Sequence, residues 1–279
     1  MQYLDPKNDV TFKKVFGEHP DLVISLLNSL LPLSDDQLIE SVEYLSLEML
    51  PNIPGKKNSI VDVRCKDKIG RSFIVEMQMY WTSSFMTRML YNAAKLYSGQ
   101  LDAGESFSSI RSVYALCLVN ENYLPKDKDY LHHYSFNDSK PNGHKIGGIE
   151  ITSVELPKFK PETFSEKKMQ VLWLRFLTEI KAGDKTIPEG LNQSKELQKA
   201  IEVLEKSSYT ADELTSYHKF WDAVRIEVSI QDDARTEGRA EGRAEGKVEM
   251  ARVLLQAGVD VNIIVKSSGL TEEEIKALR

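Results

Sequence analysis

Apolar positions near the start of the chain recur with a helical period. Asp9 is an N-cap-type residue, and Phe12, Val15 and Phe16 follow at i, i+3, i+4 spacing, which predicts a helix onset. The apolar face resumes over residues 22–31 and Pro32 closes it. The period then becomes strand-like. Runs at 42–50 and 59–66 precede a polar turn, Asp67 to Gly70, and a further run covers 71–80, so the last two runs read as a hairpin. Residues 83–104 are amphipathic, with Phe85, Met89, Ala93, Leu96 and Leu101 on the apolar face and Gly104 as the stop. The unbroken apolar run 113–119 suits a central strand buried on both faces. Strand-like runs at 130–136 and 145–156 flank the turn signal Pro141-Asn142-Gly143, and 169–180, 194–205 and 212–228 read as helices. Helix, three strands, helix, strand, then further strands and helices predict a mixed α/β domain over 1–185 with a helical annex over 186–230.

The tail, 231–279, has its own grammar. Gly238, Gly242 and Gly246 recur every four residues among Glu and Arg. This suits either a flexible tether or, preferably, a helix whose glycines let another backbone approach, because Met250 to Leu255 continue the apolar period without a break. Beyond it, Gly258, Gly269 and a capping box from Thr271 to Glu274 predict short helices in a miniature helix-turn-helix. From Gln231 to Arg279 there are 8 basic and 10 acidic residues. That balance favours a structural or assembly role over tracking of phosphates, and self-association through the glycine face is the expectation.

Length and composition add bounds. The 279 residues, 41% hydrophobic and 28% charged, exclude a disordered or collagen-like chain. The net charge of −6 gives no global sign of a nucleic-acid partner, so such a partner requires a local basic patch. No apolar stretch approaches the ~20 residues of a membrane span, and no leader pattern opens the chain; a cytoplasmic protein is expected. Cys65 and Cys117 lie in apolar runs and are expected as buried, reduced thiols.

The chemistry concentrates in the hairpin. Alternation sends Val61, Val63 and Cys65 to one face and Asp62, Arg64 and Lys66 to the other; Phe73, Val75, Met77 and Met79 share a face opposite Glu76 and Gln78. Pairing of the two strands sets Asp62 beside Glu76, where like charges repel unless a cation lies between them. Hard oxygen ligands on rigid strands suit Mg²⁺. Taken alone, these residues are accounted for more simply by a solvated, exposed hairpin face. Arg64, Lys66, Lys68 and Arg71, countered locally by Asp67, form a basic tip that suits a phosphodiester. No phosphate-binding Gly-rich loop, nucleophile elbow, zincin motif or paired Cys-x-x-Cys occurs, and the adjacent His132 and His133 face opposite ways along a strand.

Asp62 followed after a polar turn by Glu76-Met77-Gln78 resembles the PD-(D/E)XK nuclease signature, with Gln in place of the usual Lys. Further phrases, Pro6-Lys7-Asn8-Asp9, Phe12-Lys13-Lys14, Phe16-Gly17, Arg88 to Tyr91, Lys95 to Gln100 and Glu155 to Phe159, are similar to the recombination-promoting nuclease/putative transposase family, a bacterial branch of that superfamily. The resemblance covers roughly residues 3–180. It implies a restriction-endonuclease-like core and metal-dependent DNA hydrolysis. Asp62 and Glu76 would hold Mg²⁺ or another divalent cation, and Gln78 would occupy the position of the water-orienting Lys. Asp9 is either an additional acid or an N-cap. Arg88 and Tyr91, one turn apart, contact phosphate or else form a surface ion pair and a core-edge tyrosine. Arg64 and Arg71 are candidates for DNA backbone contacts; Lys13 and Lys14 either contact backbone phosphate or, preferably, are simply solvated charge. Because an amide cannot neutralise charge as an ammonium does, a nuclease-fold DNA- or protein-binding module with weak or lost hydrolysis is the alternative.

Overall fold

A computed structural model of the chain describes residues 1–49, 59–138, 140, 143–161 and 168–278. Leu50, Pro141 and Asn142, and with them part of two expected features, lie outside the described residues. Two compact units are present, Met1–Phe220 and Trp221–Arg279.

The first unit opens with α1 (Asp9–Gly17) and α2 (Pro20–Leu30). The N-cap of α1 is Asn8, whose side chain accepts from the Val10 N–H; Asp9 is instead the first residue inside the helix. The N-cap reading of Asp9 is therefore corrected by one position. Phe12, Val15 and Phe16 are fully buried, as their spacing predicts.

A six-stranded sheet follows. Its strands are β1 (Val42–Tyr44), β4 (Val63–Asp67), β5 (Ser72–Gln78), β6 (Val113–Val119), β8 (Lys145–Glu155) and β7 (Leu131–Asn137), in that spatial order. The pair β2 (Glu48–Met49) and β3 (Ser59–Ile60) is separate. Thus the run at 42–50 holds two short strands, and the run at 59–66 breaks before Val63. β1, β4 and β5 are antiparallel, and α3 (Phe85–Ser98) crosses to bring β6 parallel to β5. This is the helix, three strands, helix, strand order of the expected core. α3 stops at its C-cap Gly99, earlier than the anticipated Gly104, so Leu101 lies beyond the helix.

Both faces of the sheet are covered, which is why β6 is buried along its whole length. On one face Val63, Cys65, Phe73, Val75, Leu116 and Leu118 pack with α1, α2, α4 (Lys168–Glu179) and α5 (Lys195–Val203). Leu197, Ala200 and Ile201 of the expected annex belong to this core. On the other face Val61, Ile74, Ala115 and Cys117 pack with Phe85, Met89 and Ala93 of α3. Cys65 and Cys117 are both buried free thiols.

α6 (Ala211–Gln256) is a single helix of 46 residues, so the glycine-spaced segment is helical and the tether reading is set aside. In the second unit, Ala251 packs with Ile264 of α7 (Val261–Ser268) and Ile275 of α8 (Glu272–Lys276). Gly269 caps α7 at φ +69°, and Thr271 and Glu274 form the predicted capping box.

Candidate active site

The site is built where β4 begins beside β5. Val63 pairs with Val75, and carrying that antiparallel register back one residue sets Asp62 against Glu76. Strict alternation fails at this point. Val61 packs with the α3 side of the sheet and Val63 with the other, so the chain bends at Asp62. The bend turns Asp62 so that its Oδ2 accepts from the Met77 N–H at 2.7 Å. From α1, the Lys13 ammonium lies 3.9 Å from Asp62 Oδ1 and 2.7 Å from Asp9 Oδ1. α3 contributes Arg88, whose guanidinium donates to Gln78 Oε1 at 2.9 Å, while Gln78 Nε2 donates to the Tyr80 carbonyl.

Electrostatics bind these groups into one cluster. Burial pushes the Asp62 carboxyl up, against the opposing effects of the Met77 N–H, Lys13 and Arg88; Asp9 adds to the rise. Glu76 is raised first by burial and then by the Asp62 charge, with Arg88 and Lys13 opposing. Glu76 is only 6% exposed, and its Oε1 is buried with no hydrogen-bond partner. An unpartnered buried carboxylate oxygen costs ~1–3 kcal/mol or more, and a second carboxylate alongside adds repulsion. A divalent cation between Asp62 and Glu76 would relieve both, so these two residues fit Mg²⁺, which characteristically takes one or two carboxylates and fills its other positions with water or phosphate oxygens. Among the described residues no three His, Cys, Asp or Glu side chains converge as a closed metal cage.

The remaining candidates divide. Asp9, Lys13, Gln78 and Arg88 gather around the carboxylates, as above. Lys14 turns away, paired with Glu213 at 2.7 Å and lying over the Tyr209 ring. Tyr91 stands exposed on α3, and no polar partner among the described residues defines a role for it. Arg71 is buried; its Nε donates to Asp67 Oδ2 at 2.6 Å and its Nη1 to the Gln37 carbonyl, so it holds the hairpin turn and the reading of it as a DNA contact is withdrawn. Lys68 pairs with Glu40. The four-charge basic tip thereby reduces to Arg64 and Lys66. His132 contacts Glu155 and His133 contacts Thr152, on opposite sides of β7, as expected for structural histidines.

Sequence reasoning missed two contributors. The Met77 backbone N–H, which fixes Asp62, carries no side-chain signal. Glu155 is fully buried and accepts from Tyr123 N, Leu124 N, Lys158 Nζ and His132, organising the chain that follows β6; its place in the Glu155 to Phe159 phrase was the available sign.

No curated protein and no solved structure matches the chain. Two family models do. Residues 244–279 match the C-terminal HTH domain of the Rpn/YhgA-like nuclease family, in agreement with the short helices after Gly258. Residues 6–228, which include the carboxylate pair and every strand of the sheet, match the PD-(D/E)XK nuclease family transposase model, and the chain belongs to that family.

Proposed function

We propose that the protein is a metal-dependent DNA endonuclease of the transposase type, hydrolysing phosphodiesters at the Asp62–Glu76 pair. The observation that carries the reading is the buried, unpartnered Glu76 Oε1 beside Asp62, an arrangement with little purpose unless a cation completes it. Mg²⁺, held by Asp62 and Glu76, would supply Lewis-acid stabilisation of the charge that develops on the phosphoryl oxygens. The Met77 N–H keeps Asp62 aimed at the site, and Lys13 balances Asp9 and Asp62.

Gln78 stands where the family signature has Lys, and its amide has no charge to offer. Arg88, bonded to Gln78 Oε1, brings a fixed positive charge to the same place. We assign Arg88 the electrostatic part of the missing Lys and Gln78 the part of orienting Arg88. The C-terminal HTH domain supports DNA as the partner. The open glycine face of α6, where an added Cβ at Gly238, Gly242 or Gly246 meets nothing within 4 Å, supports homo-oligomerisation through that helix. No described helix is long and apolar enough to cross a membrane, and a cytoplasmic location is part of the proposal.

A second reading, a nuclease-fold binding module with lost hydrolysis, is favoured by the capture of Gln78 Nε2 by the Tyr80 carbonyl, which withdraws that donor from a substrate. Nicking of supercoiled plasmid by the purified full chain separates the two. Nicking with Mg²⁺ that stops in EDTA is the expected result; binding of DNA without cleavage under any divalent metal favours the module.

A further inference from the structure

A cavity of about 580 Å³ lies beside the hairpin, away from the carboxylate pair and on the α3 side of the sheet. Its walls include Arg64 and Lys66 from β4, Lys95 from α3 and Arg111 from the segment before β6. Glu105 is the one carboxylate among the described lining residues, and its Oε2 already accepts from the Asp102 N–H at 2.7 Å. Four cations therefore face one engaged acid in a chain whose net charge is −6. Like charges so placed repel one another, and an anion between them removes that cost.

Two details show a shaped site. Arg64 Nε is buried with no hydrogen-bond partner, although Nη1 of the same guanidinium donates to the Ser46 carbonyl. A buried N–H donor without an acceptor is a penalty that a ligand oxygen would lift. Gly70, at φ +92° in the hairpin turn, lets Arg111 close over the cavity: a Cβ there would stand 3.2 Å from Arg111 Cγ. Lys66 has no ion pair among the described residues.

We propose that this cavity seats a backbone phosphate of the DNA strand being cleaved, some nucleotides from the scissile bond, and so sets the position of the strand on the enzyme. The inference rests on the nuclease reading. Lys66 lies four residues along the strand direction from Asp62, about 13 Å at the rise of a β-strand. That is on the order of four nucleotides at ~3.4 Å each.

The test is equilibrium binding of the full chain, in EDTA, to a fluorescein-labelled duplex of about 20 base pairs, titrated from about 50 to 200 mM salt. The variant is Lys66→Ala with Arg111→Ala, two exposed side chains whose loss leaves the core intact. The control is Lys206→Ala with Lys219→Ala, exposed and outside the cavity. The cavity variant is expected to bind at least about tenfold more weakly at low salt, with the slope of log K against log salt reduced by about 2, while the control follows wild type. An unchanged affinity and slope overturns the phosphate seat and leaves the nuclease reading standing if Mg²⁺-dependent nicking persists. Absence of DNA binding by wild type together with absence of Mg²⁺-dependent nicking overturns both. Added inorganic phosphate that weakens wild-type DNA binding no more than an equal ionic strength of chloride also counts against the seat.

Discussion

The Arg88 guanidinium donates to Gln78 Oε1 at 2.9 Å, one turn into α3 and two residues beyond Glu76 on β5. This contact ties the side chain that departs from the family signature to a cation that the signature does not contain. Arg88→Ala is expected to lower single-turnover cleavage by about 10²-fold or more, the usual scale for loss of one electrostatic stabiliser. Gln78→Lys in the Arg88→Ala background should recover part of the loss. A rate for Arg88→Ala within a factor of a few of wild type would remove Arg88 from the mechanism.

The raised carboxyls make stability depend on pH in a definite direction. Burial lifts both Asp62 and Glu76, so the folded state favours their protonated forms. Their contribution is complete below about pH 4, where carboxyls of the unfolded chain also protonate, and is lost as pH rises through the elevated native values. Metal-free wild type should therefore lose thermal stability between acid and mildly alkaline pH relative to Glu76→Gln, which should be more stable by ~1–3 kcal/mol at the upper end. Mg²⁺ should restore wild type increasingly as pH rises, since the ligands must be deprotonated to bind. Parallel melting profiles across pH would contradict this.

Arg71 and Lys68, neighbours in the hairpin turn, should behave oppositely to one another. Arg71 and Asp67 are only 8% and 2% exposed at their side chains, so Arg71→Ala strands a buried carboxylate and should cost ~3–5 kcal/mol in urea unfolding. Lys68 pairs with Glu40 in solvent, and Lys68→Ala should leave the urea midpoint close to that of wild type. Equal effects would show that the turn is not held by Arg71.

The glycine face of α6 gives a prediction for assembly. Replacing Gly238, Gly242 and Gly246 together by Ala meets open space within the chain and favours the helix by up to ~1 kcal/mol per position. If another backbone packs there, the added methyl groups should lower the mass measured by light scattering toward that of one chain. An oligomer of unchanged mass would exclude this face.

The order of elements was legible because the periodicity around Phe12, Glu76, Phe85 and Leu116 reflects burial on definite faces. The hairpin that brings Asp62 toward Glu76 was legible from the polar turn between two apolar runs, not from alternation, which breaks at Asp62. Where the reading failed, tertiary structure had overridden local pattern. Val61 and Val63 look like one face of a strand, yet the bend at Asp62 sends them to opposite cores. Asp9 and Asn8 are both good caps, and only the backbone places Asn8 at the N-cap. Arg71 and Arg64 carry the same charge, but burial against Asp67 makes one structural while the other borders a cavity. Arg111 stands in no recognisable motif; its neighbours come from the fold alone.

The central claim is that Asp62 and Glu76 hold the cation used for cleavage. Single-turnover nicking of plasmid across a range of Mg²⁺, by wild type, Asp62→Ala and Glu76→Ala of verified fold, tests it most directly. The account predicts Mg²⁺-dependent nicking by wild type and its loss, by about 10³-fold or more, in both variants; metal-dependent nicking that survives either substitution would contradict it.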